Sequence, residues 1–152
     1  MKLVVGCDKN AVYLKNHIKN YLLDKGYEVK DIGVKSTEEE TYYPQIAKRL
    51  VETILDKRNS IEEGILICGT GIGMALTANK FPGIRAAKCH DIYSAERAKK
   101  SNNSNIMTMG AQIISTKLAE KLVDEWVNSE FTGGRSKPKV ELIDEYEKEN
   151  IQ

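Results

Sequence analysis

Three thiols, Cys7, Cys68 and Cys89, are the most reactive side chains in the sequence, and each closes or follows a short apolar run. Cys68 is followed at once by Gly69-Thr70-Gly71-Ile72-Gly73. Glycines at 69, 71 and 73 leave backbone N–H groups free to face an anion, and a helix starting there adds its positive dipole end. A thiol against such a helix start is expected to be partly exposed, with its pKa lowered toward neutrality. As a thiolate it serves as a nucleophile or a general base. A nucleophilic hydrolase of this kind needs a histidine partner, and the chain has only His17 and His90. His17 falls mid-helix, on an expected surface; His90 follows a strand and is free to approach Cys68. The residues alone leave Cys68 with two readings, a reactive thiol or a small buried hydrophobe ending a strand, the commoner fate of a free cysteine. A zinc site built from the thiols and a histidine is a weaker third, since the cysteines are widely separated and unpaired in spacing.

The glycine turn also has competitors. A dinucleotide fingerprint needs a third glycine where Met74 or Leu76 stands, and a phosphate-binding P-loop needs a Gly-Lys-Ser/Thr ending that is missing.

The elements that must position these residues alternate. Leu3–Cys7, Tyr27–Ile32, Gly64–Cys68, Gly83–Ala87 and Asn105–Met109 read as strands, five in all. Between and after them, helical spacing covers 11–25 (Leu14, Ile18, Leu22), a segment opened by Pro44 (Ile46, Leu50, Ile54), and about 72–79, 93–99 and 116–128. A β-α-β-α order predicts an α/β fold, a parallel sheet with helices on both faces. Ligands in such sheets bind at the carboxyl ends of strands, which here carry Cys7-Asp8-Lys9, Cys68 with its glycines, Cys89-His90-Asp91 and Gly110. Gly133-Gly134 breaks the chain, and Lys139 to Glu149 resumes as a charged helix with little to bury on its own domain. Composition leaves that tail (133–152) either packed on a second subunit or solvated.

With 152 residues, 41% hydrophobic and 30% charged, the chain fits one globular domain spanning 1–152. A formal net charge of +1 gives no bias toward nucleic acid or an anionic membrane. An odd number of unpaired cysteines predicts a reducing compartment. No signal-peptide core develops before Asp8, and no apolar run approaches the roughly 20 residues of a membrane helix. The expected location is the cytoplasm.

Gly6-Cys7-Asp8, Tyr43-Pro44, the run GILICGTGIG at 64–73, Ala78-Asn79-Lys80, Pro82-Gly83-Ile84-Arg85-Ala86, Asn102 to Asn105, and Glu130 to Arg135 with its Gly-Gly-Arg occur in that order. On these stretches the chain resembles the ribose-5-phosphate isomerase B and galactose-6-phosphate isomerase family over nearly its whole length. The resemblance implies a Rossmann-like three-layer sandwich with a five-stranded parallel sheet, and no metal or organic cofactor. It also implies a homodimer or dimer of dimers with active sites shared between subunits. It casts Cys68 as the base moving a proton between C1 and C2 of an open-chain sugar phosphate, with the amides of Gly69, Gly71, Ile72 and Gly73 on the enediolate. Thr70 would lie at the sugar and assist ring opening; Asp8, Tyr43 and Asn102 would hold hydroxyls. Arg135, reaching from the partner, would bind the phosphate.

The chain departs from that pattern where the family carries histidine or arginine. Lys9, Ser101 and Ser136 stand at histidine positions, the second credited with opening the furanose ring, and Gln112 and Lys139 stand at arginine positions. Lys9 and Lys139 can supply charge at the sugar and phosphate, but not arginine's bidentate fork. Three functions follow: an isomerase of ribose 5-phosphate type or of another sugar phosphate (galactose 6-phosphate or a tetrose phosphate), a catalytically weak sugar-phosphate-binding subunit, and, disfavoured by the failed fingerprint, a nucleotide-binding module.

Overall fold

Continuous apolar runs mark strands covered on both faces. In the computed structural model, which describes residues 1–151, three such runs form the centre of a sheet. These are β1 (Lys2–Cys7), β3 (Glu63–Cys68) and β5 (Ile106–Gly110), nearly every residue of which is buried. The edge strands β2 (Glu28–Asp31) and β4 (Ala86–Lys88) are only half-buried and carry charge. The order is β2-β1-β3-β5-β4, with every pairing parallel.

Parallel neighbours must be joined by right-handed crossovers, so the direction of travel decides which face each helix covers. α1 (Val12–Asp24) and α4 (Ile92–Lys100) join strands in one direction, α2 (Tyr43–Leu55) and α3 (Ile72–Ala78) in the other. Accordingly α2 packs on α3, while α5 (Thr116–Asn128) lies beside both α1 and α4. Among the described residues no helix is long and apolar enough to cross a membrane.

Two element starts differ from the sequence expectation by two residues or more. β4 begins at Ala86 rather than Gly83, because Gly83 turns with φ +84°. The Ala86 N–H then goes to Asn79 Oδ1 (2.8 Å) and the Arg85 N–H to Asn105 Oδ1 (2.8 Å). The last helix, α6, spans Lys137–Glu149, two residues earlier than expected, with Pro138 in its first turn. Val140 is its one buried residue, whereas Leu142, Ile143 and Tyr146 stay exposed. It touches its own domain through Glu147 on the Gly83 amide (3.0 Å) and Asp144 on Arg85 (3.5 Å).

The edge strand β2 is secured by charge. Lys15 of α1, 1% exposed, reaches Asp31 at 2.8 Å, and Lys19 reaches the same oxygen at 3.1 Å. Burial would raise the Asp31 carboxyl, but Lys15, the Gly33 amide and Lys19 outweigh it and bring the pKa from 3.8 to about 2. A carboxylate held low in the fold stabilises above its unfolded pKa and loses that contribution as pH falls toward the folded value. Asp31→Asn leaves Lys15 buried without a counter-charge and should cost about 3–5 kcal/mol at neutral pH in urea denaturation. The gap between wild type and variant should narrow as pH falls from 3.8 to about 2; a constant gap would contradict the ion-pair account.

Candidate active site

β1, β3 and β5 are adjacent, so their carboxyl ends bring Asp8, Cys68 and Gly110 to one edge of the sheet. The connections from β1 and β3 leave in opposite directions here, the switch point where open α/β sheets bind ligands. A cavity of about 430 Å³ opens there, walled by Asp8, Tyr43, Cys68, Gly69, Thr70, Ile72 and Gly73. Asn10, Leu76 and Gln112 complete it. A larger hollow of about 770 Å³ lies beside α6, at the opposite end of the sheet, and contains no thiol.

The turn after β3 lies directly on the backbone of β5. Gly71 has φ +79°, and a Cβ there would meet the Met109 carbonyl carbon at 2.8 Å. A Cβ on Gly110 would meet Thr70 at 2.6 Å. The Ala111 N–H donates to Cys68 O (2.8 Å), the Gln112 N–H to Gly69 O (3.0 Å), and Thr108 Oγ1 to Gly71 O (2.7 Å). The Gly71 N–H points at Cys68 Sγ, 3.1 Å away. Ile72, Gly73 and Met74 open α3, so their N–H groups have no carbonyl one helical turn back. The Ile72 N–H rests on Thr70 Oγ1 at 3.3 Å. The Tyr43 ring, at the start of α2, covers Gly73 so closely that any Cβ would collide with it.

Three expectations, at Cys68, His17 and His90, need correction. Cys68 is 4% exposed, not partly exposed, reached only through the cavity. His17 is half-buried rather than a surface residue, because Nε2 bonds Glu120 at 2.7 Å and ties α1 to α5. His90 does not partner Cys68: its Nε2 accepts the Gly110 N–H at 2.9 Å. Burial, then the Lys88 charge, lowers the His90 pKa, and the acceptor role requires the neutral ring. Lys9 does not wall the cavity of its own chain and pairs with Glu40 at 3.2 Å. Asn102 lines the far hollow and donates to Arg97 O at 3.2 Å. Arg135, in a short helical turn at 134–136, and Lys139, in the first turn of α6, also lie outside the cavity wall of their own chain.

The sequence pattern brought forward the thiol, Asp8, Tyr43 and the turn, but not Asn10, Leu76 or Thr108. Thr108 carried no signal beyond being one β-branched residue in a strand. Gln112 was visible only as a departure at an arginine position. No three His, Cys, Asp or Glu side chains converge as metal ligands among the described residues.

A model of the ribose/galactose isomerase family matches residues 3–143. A ribose-5-P isomerase B of Listeria innocua is 49% identical over 150 residues, 99% of each chain. A D-erythrulose-4-phosphate isomerase of Pectobacterium atrosepticum is 47% identical, over 97% of this chain and 95% of its own. The ribose-5-phosphate isomerase B structure from Clostridium thermocellum superposes with a TM-score of 0.93 at 38% identity, covering 99% of this chain and all (100%) of that one.

The three thiols should separate chemically. Burial pushes Cys7 up to about 12 and Cys89 up to about 11, and neither borders the cavity. Brief iodoacetamide treatment of the native protein at mildly alkaline pH should label Cys68 and spare the others in a peptide mass map. Equal labelling of all three would overturn this ordering.

Proposed function

Since the chain belongs to the ribose/galactose isomerase family, and is therefore a sugar-phosphate isomerase, we propose that it interconverts an aldose phosphate and its ketose by one proton transfer through an enediolate. Cys68 is the base. The observation carrying this reading is the sulfur at the end of β3, facing the cavity, with the Gly71 N–H 3.1 Å away. As thiolate, Cys68 takes the proton from C2 of the aldose as the electron pair moves onto the C1 carbonyl oxygen; the O2 hydroxyl proton passes to O1, and Cys68 returns the C2 proton to C1 as the C2 carbonyl forms. The N–H groups of Ile72 and Gly73 stabilise the oxyanion without reorganising. Asp8, 7% exposed with Oδ1 held by the Asn10 N–H at 3.0 Å, and the Tyr43 hydroxyl orient the sugar.

The substrate is of ribose 5-phosphate type. A second reading, a tetrose 4-phosphate, is favoured by Ser101, which bonds Arg97 at 3.3 Å and offers no imidazole for ring opening. Phosphate on O4 prevents furanose closure, so such a substrate needs no ring-opening group. Galactose 6-phosphate is the remaining member of the test panel. Cys68→Ala should lower kcat about 10²–10⁴-fold on the preferred sugar phosphate while keeping its affinity. Unchanged turnover would remove Cys68 from the mechanism, and binding without turnover by wild type would indicate a sugar-phosphate-binding subunit.

The site is shared between two copies of the chain, as a homodimer or dimer of dimers. Its own wall carries no cationic side chain to meet a phosphate, and Ile72 and Leu76 at its mouth are 51% and 63% exposed. Arg135 and Lys139 supply that charge from the partner, and Asn102 reaches in likewise. Three free thiols support a reducing compartment, the cytoplasm. Co-expressing Cys68→Ala with Arg135→Ala should restore activity, because one of the two mixed sites then has both residues. If both residues act within one chain, the mixture stays inactive.

A further inference from the structure

β5 carries one polar side chain among apolar neighbours, Ile106-Met107-Thr108-Met109-Gly110. Thr108 is fully buried, where a hydroxyl is costly unless it is bonded. Its Oγ1 donates to the carbonyl of Gly71 at 2.7 Å. That carbonyl also takes the helical N–H of Ala75, at a longer 3.3 Å.

In a trans peptide the C=O and N–H point in opposite directions. Fixing Gly71 O against β5 therefore turns the Ile72 N–H away from the strand, toward Thr70 Oγ1 on the cavity wall at 3.3 Å. Gly71 sits at φ +79°, ψ −10°. With glycine at 71, side-chain sterics at that position do not hold the peptide plane, although a full half-turn is closed off because it would take the β-branched Ile72 from its helical conformation to positive φ. A partial rotation is enough to swing the Ile72 N–H off the developing oxyanion. The Thr108 hydroxyl favours one orientation over the other.

We propose, on the footing that this turn stabilises the enediolate, that Thr108 is a positioning residue for proton transfer, locking the Gly71–Ile72 peptide with its N–H toward the reacting oxygen. It acts through Gly71 and does not touch the substrate. Thr108→Val keeps the shape and removes the donor; Thr108→Ser keeps the donor.

On the sugar phosphate that wild type turns over, Thr108→Val should lower kcat about 10-fold with KM unchanged. Thr108→Ser should restore kcat to within about twofold of wild type, roughly the limit at which a lost hydrogen bond is detectable. Amide exchange at Ile72, measured without substrate, should accelerate in the valine variant alone. Wild-type kcat and unchanged Ile72 exchange in Thr108→Val would overturn the assignment, as would a serine variant as slow as valine. Turnover by wild type that survives Cys68→Ala would instead overturn the isomerase mechanism, and the exchange data would still report on the clamp.

Discussion

Two stretches of main chain touch with no side chain between them: the turn after β3 and the end of β5. Gly71 lies against the Met109 backbone and Gly110 against Thr70, each too close to admit a Cβ. Around that contact the Ala111 and Gln112 amides bond Cys68 O and Gly69 O. The sulfur, the turn's amides and the Gln112 side chain thereby belong to one rigid block. An anion site made of backbone dipoles works only if those dipoles are fixed before charge develops.

The rest of the sheet exists to make β3 and β5 neighbours. Chain order alone would set β4 beside β3; instead the chain skips one position and returns, so β5 fills the gap. The return is anchored by charge and amide contacts at the other end of the sheet. Lys99 of α4, 3% exposed, bonds Glu63 of β3 at 2.6 Å and lies over the Trp126 ring of α5 at 4.2 Å. Asn79 and Asn105 hold the short strand β4 by its Arg85 and Ala86 amides. Carboxyl-end chemistry is thus separated from amino-end fastening.

How much of this was legible depended on whether the cause was local. The five strands were readable because β1, β3 and β5 are unbroken apolar runs, and the helices because their apolar spacing is regular. The starts of β4 and α6 are the boundaries displaced most, the former because Gly83 reads as strand in an apolar run until its positive φ is known. Cys68 and its glycines were legible as a unit because the chemistry is contiguous. What depended on distant pairing was not: Lys9 is taken by Glu40, 31 residues away, and Thr108 meets Gly71 across 37. His90 looked like a partner for the thiol until Gly110 was seen to occupy its Nε2. Asn102, Arg135 and Lys139 are singled out only by family likeness, and nothing in their own chain gathers them to the cavity.

A surface whose working atoms are peptide groups has a particular heredity. Point mutation to any residue except proline replaces a side chain and leaves the amide N–H where it is, so the turn's backbone donors are not readily lost one at a time. Variation is channelled to the rim, where Tyr43, Leu76 and Gln112 face the cavity. A duplicated gene that keeps Cys68 and the turn can therefore exchange its rim and adopt another phosphorylated sugar. Relatives named for a pentose phosphate and for a tetrose phosphate, each nearly half identical to this chain, are what such a lineage would leave behind.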